Sequence, residues 1–426
     1  MVAAALPVFP TGLRRRALSW LALALVLSFM DAAAASDPKP AFSLRVVYLS
    51  KSYEEPLPLA LIEPVIKDKG IQGARLAQQE SELTGRLLRQ EYALVERVVG
   101  EDEDITAAAS ELLAAGERFF VAHLEAEDLL AVADLPEAAD AIILNTRAFE
   151  DDLRNEACRA NVYHVAPSYA MRADGLAQYL AWKRWTKWFL VHGKQPGDRL
   201  YADALERAAK KFGAKVVETR EYQFEAGARR VESGHQQIQT QMPMLTQGAS
   251  DHDVLVVADV AEKFGEYLPY RTFDARPVVG THGLVSAAWH RTFEQFGSMS
   301  LHSAFEKLAG RHITERDYLA WLGVKIFAEA ALRNNSAALD KIRGYLTSDA
   351  FVAPGFKGVG LTFRPWNHQL RQPMLIAWRG SLVSVSPQAE FLHKGAVTDT
   401  LGFDEPESRC DFGGQRNPNR VTKEED

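Results

Sequence analysis

At 426 residues, with 47% hydrophobic and 25% charged side chains, the chain has the make-up of a globular protein and room for two domains of ordinary size. Its formal net charge is −7, and beyond the first 35 residues the longest basic cluster is the interrupted Lys183-Arg184…Lys187, so the basic face of a nucleic-acid binder is missing. Beside Trp182, Trp185 and Trp188, those cations read as a helix end, where the terminal dipole favours them and the indoles pack below.

Residues 1–35 read as a secretory signal. Arg14, Arg15 and Arg16 precede an apolar run from Ala17 to Met30, and Ala32 to Ala35 supply the small residues of a cleavage site, with Ser36 the first mature residue. The run is shorter than the ~20 apolar residues a membrane span needs, and no later stretch is longer. Removing this segment takes away three Arg and one Asp, which moves the formal net charge from −7 to −9. The periplasm is the expected compartment. It makes a bridge between the only two cysteines, Cys158 and Cys410, the expectation, with two separate thiols as the alternative.

Leu44 to Leu49 is a nearly continuous apolar run, the form of a strand buried on both faces of a parallel sheet. A long polar loop follows, with prolines at 56, 58 and 64. At Gly70 a helix begins that has Leu76, Ala77, Leu83 and Leu87 on one face; Gly70 and Gly73 read as close helix packing rather than a phosphate-cradling turn. Next come a strand Tyr92 to Val99, a helix with Ile105, Ala108, Ala109, Leu112 and Leu113, a strand Phe119 to Ala122, a helix Ala126 to Ala133 and a strand Ala141 to Leu144. Glu101 to Asp104 lack the alternating ligands and glycine of a calcium loop and read as a solvated cap. Such alternation predicts a parallel sheet with right-handed crossovers.

Val162 to Val165, the turn Pro167 to Tyr169 and a helix with Leu176, Ala177 and Leu180 read as a crossing into a second lobe. There the same alternation resumes with strands Trp188 to Val191, Lys215 to Glu218, Val254 to Ala258 and Pro277 to Gly280, separated by helices around 201–212 and 238–245. Beyond Gly283 the pattern changes to helices at Phe305 to Ala309, Glu315 to Leu332 and Ala337 to Leu346. The middle one is apolar on nearly all sides and should be buried. Leu361 to Phe363, Met374 to Trp378 and Leu382 to Val385 predict short antiparallel strands with Asn367 and Gly380 at the turns; from Asp411 the polar tail reads as disordered.

Two lobes joined by a turn make a cleft, and in open parallel sheets ligands bind beyond the carboxyl ends of the strands. That places Ser50 to Tyr53, His123, Glu125 and Asn145 to Arg147 at the rim of one lobe, Ser168 and Tyr169 at the crossing, and His192, Lys194, Asp259, Thr281 and His282 at the rim of the other. The ligand-binding candidates are Tyr53, Glu125, Ser168, Tyr169, Asp259 and His282. Tyr53 and Tyr169 suit the wall for an apolar group, Ser168 a carboxylate or hydroxyl, Glu125 or Asp259 a ligand donor. For each, the alternative is a helix cap or a loop contact. The sequence contains no G-x-S-x-G, H-E-x-x-H, paired-cysteine or strand-following G-x-G-x-x-G motif, so no catalytic residue and no metal ligand is assigned.

The segments DLRNEACRANVYHVAPSYAM, LAQYLAWKRWTKWFLV, DVLVVADVAEKFGEYLPYRT, HSAFEKLAGRHITERDYLAWL and FRPWNHQLRQPMLIA carry a resemblance that covers the mature chain to about Cys410. The chain resembles the type I periplasmic solute-binding proteins of ABC transporters, typified by the leucine/isoleucine/valine receptors. Within them it resembles the branch associated with PQQ-dependent alcohol oxidation systems. The resemblance implies an α/β fold of two Rossmann-like lobes with parallel sheets and three hinge crossings. It puts residues 36–168 and 284–352 in lobe 1, residues 169–283 and 353–400 in lobe 2, and residues 401–426 in a tail.

It further implies a monomer without a cofactor that binds a small-molecule ligand (an alcohol, a carboxylate or a related organic solute) and presents it to an ABC permease in the inner membrane. His123-Leu124-Glu125-Ala126 departs from the small, hydroxyl-rich turn with which amino-acid receptors of this class hold a carboxylate. A small organic acid or alcohol with an apolar body is the expected ligand. The alternatives are a sensor module of the same fold, and an enzymatic or cofactor-handling accessory of the oxidation system.

Overall fold

The computed structural model describes residues 40–58, 64–223 and 232–412, with side chains from residue 237 onward in the last segment. The expected signal and nearly all of the expected disordered tail lie outside the described residues.

The first lobe is built on one five-stranded parallel sheet. Its strands are β1 (Phe42–Lys51), β2 (Gln90–Val99), β3 (Phe119–His123), β4 (Ile142–Asn145) and β5 (Val162–His164), in the order β2-β1-β3-β4-β5. The helices between them are α1 (Ile71–Leu88), α2 (Ile105–Ala114) and α3 (Ala126–Ala133). β1 and β3 read as apolar runs because both faces are covered: Val46 and Val121 belong to one buried cluster with α1, and Val47 and Phe120 to another with α2.

Ser168 starts α4 (Tyr169–Trp182), its hydroxyl accepting from the Met171 amide at 3.3 Å. The second sheet then gathers β6 (Lys187–His192), β7 (Lys215–Glu221), β8 (Val254–Ala258) and β9 (Val278–Gly280), with α5 (Pro196–Lys211) and α6 (Glu232–Thr246) between them. It also holds a strand that the sequence pattern lacks, β10 (Leu284–Ala287), parallel to β9. Four residues directly after β9 leave no room for a separate periodic signal.

The chain then returns to the first lobe. Helices α7 (Ser298–Ala309), α8 (Glu315–Asn334) and α9 (Leu339–Leu346) share the buried cluster of β1 and α1, and the Phe327 ring of α8 packs at a tilt against Phe119 of β3, centroids 5.3 Å apart. α8 is buried almost all round, as its composition predicts. After a two-stranded ribbon, β11 (Thr362–Phe363) with β12 (Leu370–Arg371), the hairpin β13 (Met374–Trp378) and β14 (Ser381–Ser386) joins the second sheet antiparallel to β10. The full order is β14-β13-β10-β9-β8-β6-β7. Both lobes lie within one compact unit that begins at Phe42.

Three crossings join the lobes, and buried amides stitch the first to the third. Gln369 donates to the carbonyls of His164 and Ala166, both at 3.1 Å, and Gln372 donates to the Val165 carbonyl at 2.7 Å. Arg154, also buried, donates to Gln369 at 2.9 Å and to the Ala166 carbonyl at 2.8 Å. Cys158 and Cys410 form a disulfide with Cα atoms 5.6 Å apart. Order runs past it, since Phe412 stacks on His368 at 4.3 Å.

Gly70 and Gly73 are packing residues. The Gly70 amide donates to Asp317 Oδ1 at 2.8 Å from a backbone at φ +91°, a left-handed conformation that favours glycine. A Cβ on Gly73 would lie 1.8 Å from the Asp317 carbonyl, so α1 and α8 touch backbone to backbone. Gly73→Ala should therefore force the helices apart and cost about 1–3 kcal/mol, read as a lower thermal midpoint in a melt of the purified chain.

Candidate functional site

The sheet register decides which loops meet. Ser50 of β1 pairs with His123 of β3, and Ala122 with Asn145 of β4, so the carboxyl ends of three strands finish level and their following loops share one rim. From β1 come Lys51, Tyr53 and Glu55; from β3, His123 and Glu125; from β4, Arg147. Asn145 shapes the last of these loops by accepting from the Arg147 and Ala148 amides at 3.1 and 2.9 Å.

Arg147 stands at the centre. Its guanidinium lies 4.5 Å from the Tyr53 ring centroid, with one nitrogen 3.0 Å from Glu125 and 3.0 Å from Glu55. Glu55 also pairs with Arg316 on the first turn of α8 and with Lys69 at 3.3 Å. The Tyr53 hydroxyl donates to Asp128 at 2.7 Å and accepts from the Glu125 amide at 2.9 Å, while Lys51 pairs with Asp128 at 3.3 Å. A cavity of about 340 Å³ opens among these residues, lined also by Val65, Ile66 and Val98. Four cations thus meet three carboxylates, with aliphatic wall beside them.

The electrostatics follow from this crowding. Burial would raise the Glu55 carboxyl, but Arg316, Arg147 and Lys69 together bring it down to about 2, so it is ionised at neutral pH. His123 is 3% exposed, and burial first, then Arg147, Arg316 and Lys69, hold its pKa well below the usual value. It is a neutral imidazole under three cationic neighbours. Burial likewise depresses His164, and takes His368 down to about 4.

In each of these histidines the folded-state pKa lies below the unfolded value of about 6.5, so the unfolded chain takes up a proton that the folded one refuses. The stability involved is complete above about pH 6.5 and is lost as pH falls, by up to about 1.4 kcal/mol per pH unit for each histidine. Thermal melts from pH 7.5 to 4.5 should show this decline, and His123→Asn should flatten it. A midpoint independent of pH over that range would contradict the burial of neutral imidazoles.

A second cavity, of about 450 Å³, lies between the lobes. Pro56, Leu57, Pro58 and Lys69 face Thr281, His282, Tyr270, Pro269 and Trp378 across it. His282 rests 3.0 Å from the Thr281 hydroxyl and packs so closely on Gly265 that a Cβ there would be 2.3 Å from its Nδ1. Arg172 of α4, in the second lobe, pairs with Glu315 of α8, in the first.

Of the residues singled out in the sequence, Tyr53 and Glu125 come together at Arg147, and His282 lines the inter-lobe cavity. Ser168 caps α4. Asp259 is fully buried and its carboxylate accepts from the amides of Lys263, Phe264 and Gly265 at 2.9, 2.8 and 2.6 Å, which folds the loop after β8. Tyr169 is buried in the second lobe's core against Phe149 and Tyr201. Sequence reasoning did not single out Glu55, Lys69 or Arg316. Arg316 reaches the rim from α8, and nothing local distinguishes it from a solvated helix charge.

Residues 70–378 match the family described as periplasmic binding protein. The chain belongs to that family. This periplasmic binding protein also shares its fold with a branched-chain amino acid ABC transporter ligand-binding protein from Burkholderia xenovorans. The TM-score is 0.65 at 13% identity, over 87% of this chain and 99% of that one. An ABC transporter substrate-binding protein from Desulfitobacterium hafniense, in complex with Leu, matches with TM-score 0.57 and 17% identity, over 80% and 99% of the two chains. A solute-binding protein of an R. palustris ABC transporter, in complex with benzoate, matches with TM-score 0.60 and 12% identity, over 86% and 99%. No curated protein matches the sequence. Among the described residues no helix is long and apolar enough to cross a membrane.

Proposed function

We propose that this periplasmic binding protein is the solute-capturing component of an ABC transporter, and that its solute is a small organic acid with an apolar body. One observation carries the reading. The rim of the first lobe gathers Arg147, Arg316 and Lys69 from three separate elements beside a cavity with an aliphatic wall. Guanidinium groups suit the planar, two-oxygen geometry of a carboxylate. The fold neighbours complexed with Leu and with benzoate support the class, since each of those ligands is a carboxylate on an apolar body.

In this reading Arg147 and Arg316 hold the carboxylate, Tyr53 walls the apolar body and Glu125 fixes Arg147. His282 closes on the solute from the other lobe, and Ser168, Tyr169 and Asp259 shape the elements behind the site. The lobes divide near residue 168, as the resemblance implies, but β10 (Leu284–Ala287) stays with the second lobe and residues 353–370 pack with the first; the segment 1–35 serves export. The solute bridges both lobes, favours the closed state by its differential affinity, and the closed monomer docks on an inner-membrane permease. The resemblance to the branch of the PQQ-dependent alcohol oxidation systems fits an acid formed from an alcohol.

A thermal-shift panel tests the reading with matched carboxylates, amides and alcohols. A carboxylate at a hundredfold its dissociation constant adds about 2.7 kcal/mol of stability, while its amide and alcohol leave the midpoint unmoved. Equal shifts from the three would overturn the assignment of an acid.

A further inference from the structure

The anion on which the first lobe's cations converge is part of the chain itself. Glu55 lies in the stretch 52–58 after β1, which has no regular structure, and is followed by Pro56 and Pro58, whereas its partners stand on or beside regular elements. Arg147 follows β4, Arg316 is in the first turn of the 20-residue α8, and Lys69 precedes Gly70, the N-cap of α1. The Glu55 side chain is 29% exposed, against 10% for Arg147 and 30% for Arg316, so solvent reaches the carboxylate and one of its two guanidinium partners. The cavity of about 340 Å³ opens beside it, and Lys69 lines both that cavity and the inter-lobe one.

We propose that Glu55 is a tethered occupant of an exchangeable carboxylate site: the solute's carboxylate takes its place on Arg147 and Arg316, and the Glu55 side chain turns out to solvent. This rests on the reading of the cleft as an acid receptor, and adds how the receptor selects. A tethered group competes at a high effective concentration, commonly in the millimolar range for a short flexible link. Acids that offer nothing beyond a carboxylate, such as acetate and formate, lose that competition. A larger acid wins because its body also touches Tyr53 and the second lobe. Glu55 thereby excludes the abundant small acids without any steric gate.

The test is calorimetric titration of the full chain with acetate. Wild type should show no saturable binding, whereas Glu55→Ala should bind acetate at least tenfold more tightly than wild type, and Glu55→Ala combined with Arg316→Met should lose that gain. Glu55→Gln keeps the side chain's size and guards against a folding defect; it too should gain affinity for acetate. Equal acetate affinity in wild type and both single variants would overturn the exchange. The two readings fail separately. A wild type that binds no acid in the panel, beside a Glu55→Ala variant that takes acetate, removes the receptor reading and leaves the exchange. A wild type that binds a larger acid, beside variants blind to acetate, does the reverse.

Discussion

Replacing Arg147 by Met should weaken binding of an acid solute by about a hundredfold or more. The side chain is 10% exposed, and its guanidinium serves Glu125, Glu55 and the Tyr53 ring at once, so its loss removes the hub on which the other rim groups are arranged. Truncating one member of a buried, hydrogen-bonded charge pair costs roughly 2–5 kcal/mol, much of it the penalty of the partner left behind. Here Glu125 loses its guanidinium partner at a half-exposed position, Glu55 keeps Arg316 and Lys69, and the larger loss falls on the solute's own carboxylate. Arg147→Lys should recover little, because an ammonium cannot bond two oxygens in one plane or lie flat over the ring. The measurement is the ratio of dissociation constants for the acid that shifts the wild type most. Arg147→Met within threefold of wild type would remove the residue from the site.

The second large effect is on stability. The Cys158–Cys410 disulfide closes a loop across a sequence separation of 252, and ties the end of the described chain to the segment just before β5. Around it the Arg409 amide donates to Asn155 at 3.0 Å, and its guanidinium pairs with Glu156 at 2.7 Å. Phe412, His368 and Tyr163 form a continuous stack, with centroids 4.3 and 4.0 Å apart. The covalent link also joins the two segments in the unfolded chain, which lowers its conformational entropy. Its removal by Cys158→Ser should cost about 2–5 kcal/mol, seen as a lower thermal midpoint than that of the oxidised wild type. Reduction of the wild type should lower the midpoint by a similar amount, and the variant should not respond to reductant. Coincident melts for the three would contradict a structural bridge.

Much of the fold is written in local periodicity. The apolar run at β1, the one-face spacing of α2 and the all-round apolarity of α8 each follow from how many faces the element buries. β10 escaped because four residues after a strand carry no period of their own. The site was half legible, for a physical reason. Tyr53, Glu125 and the loop of Arg147 lie at strand ends, where topology alone directs attention. Arg316 and Lys69 gain their meaning only from tertiary packing, which brings α8 against α1 through the Gly73 contact. Glu55 looks in sequence like any acid in a proline-bearing loop. Conversely, Asp259 at a strand end spends its carboxylate on three amides of its own loop, which the strand-end position alone does not reveal.

Native mass spectrometry of the protein purified from its own periplasm tests the central claim most directly. A co-purifying small molecule that bears a carboxylate on an apolar body, and that is absent from the Arg147→Met variant purified in parallel, is the expected result. A bound solute without an acidic group, or one retained in full by the variant, would contradict an acid receptor built on Arg147.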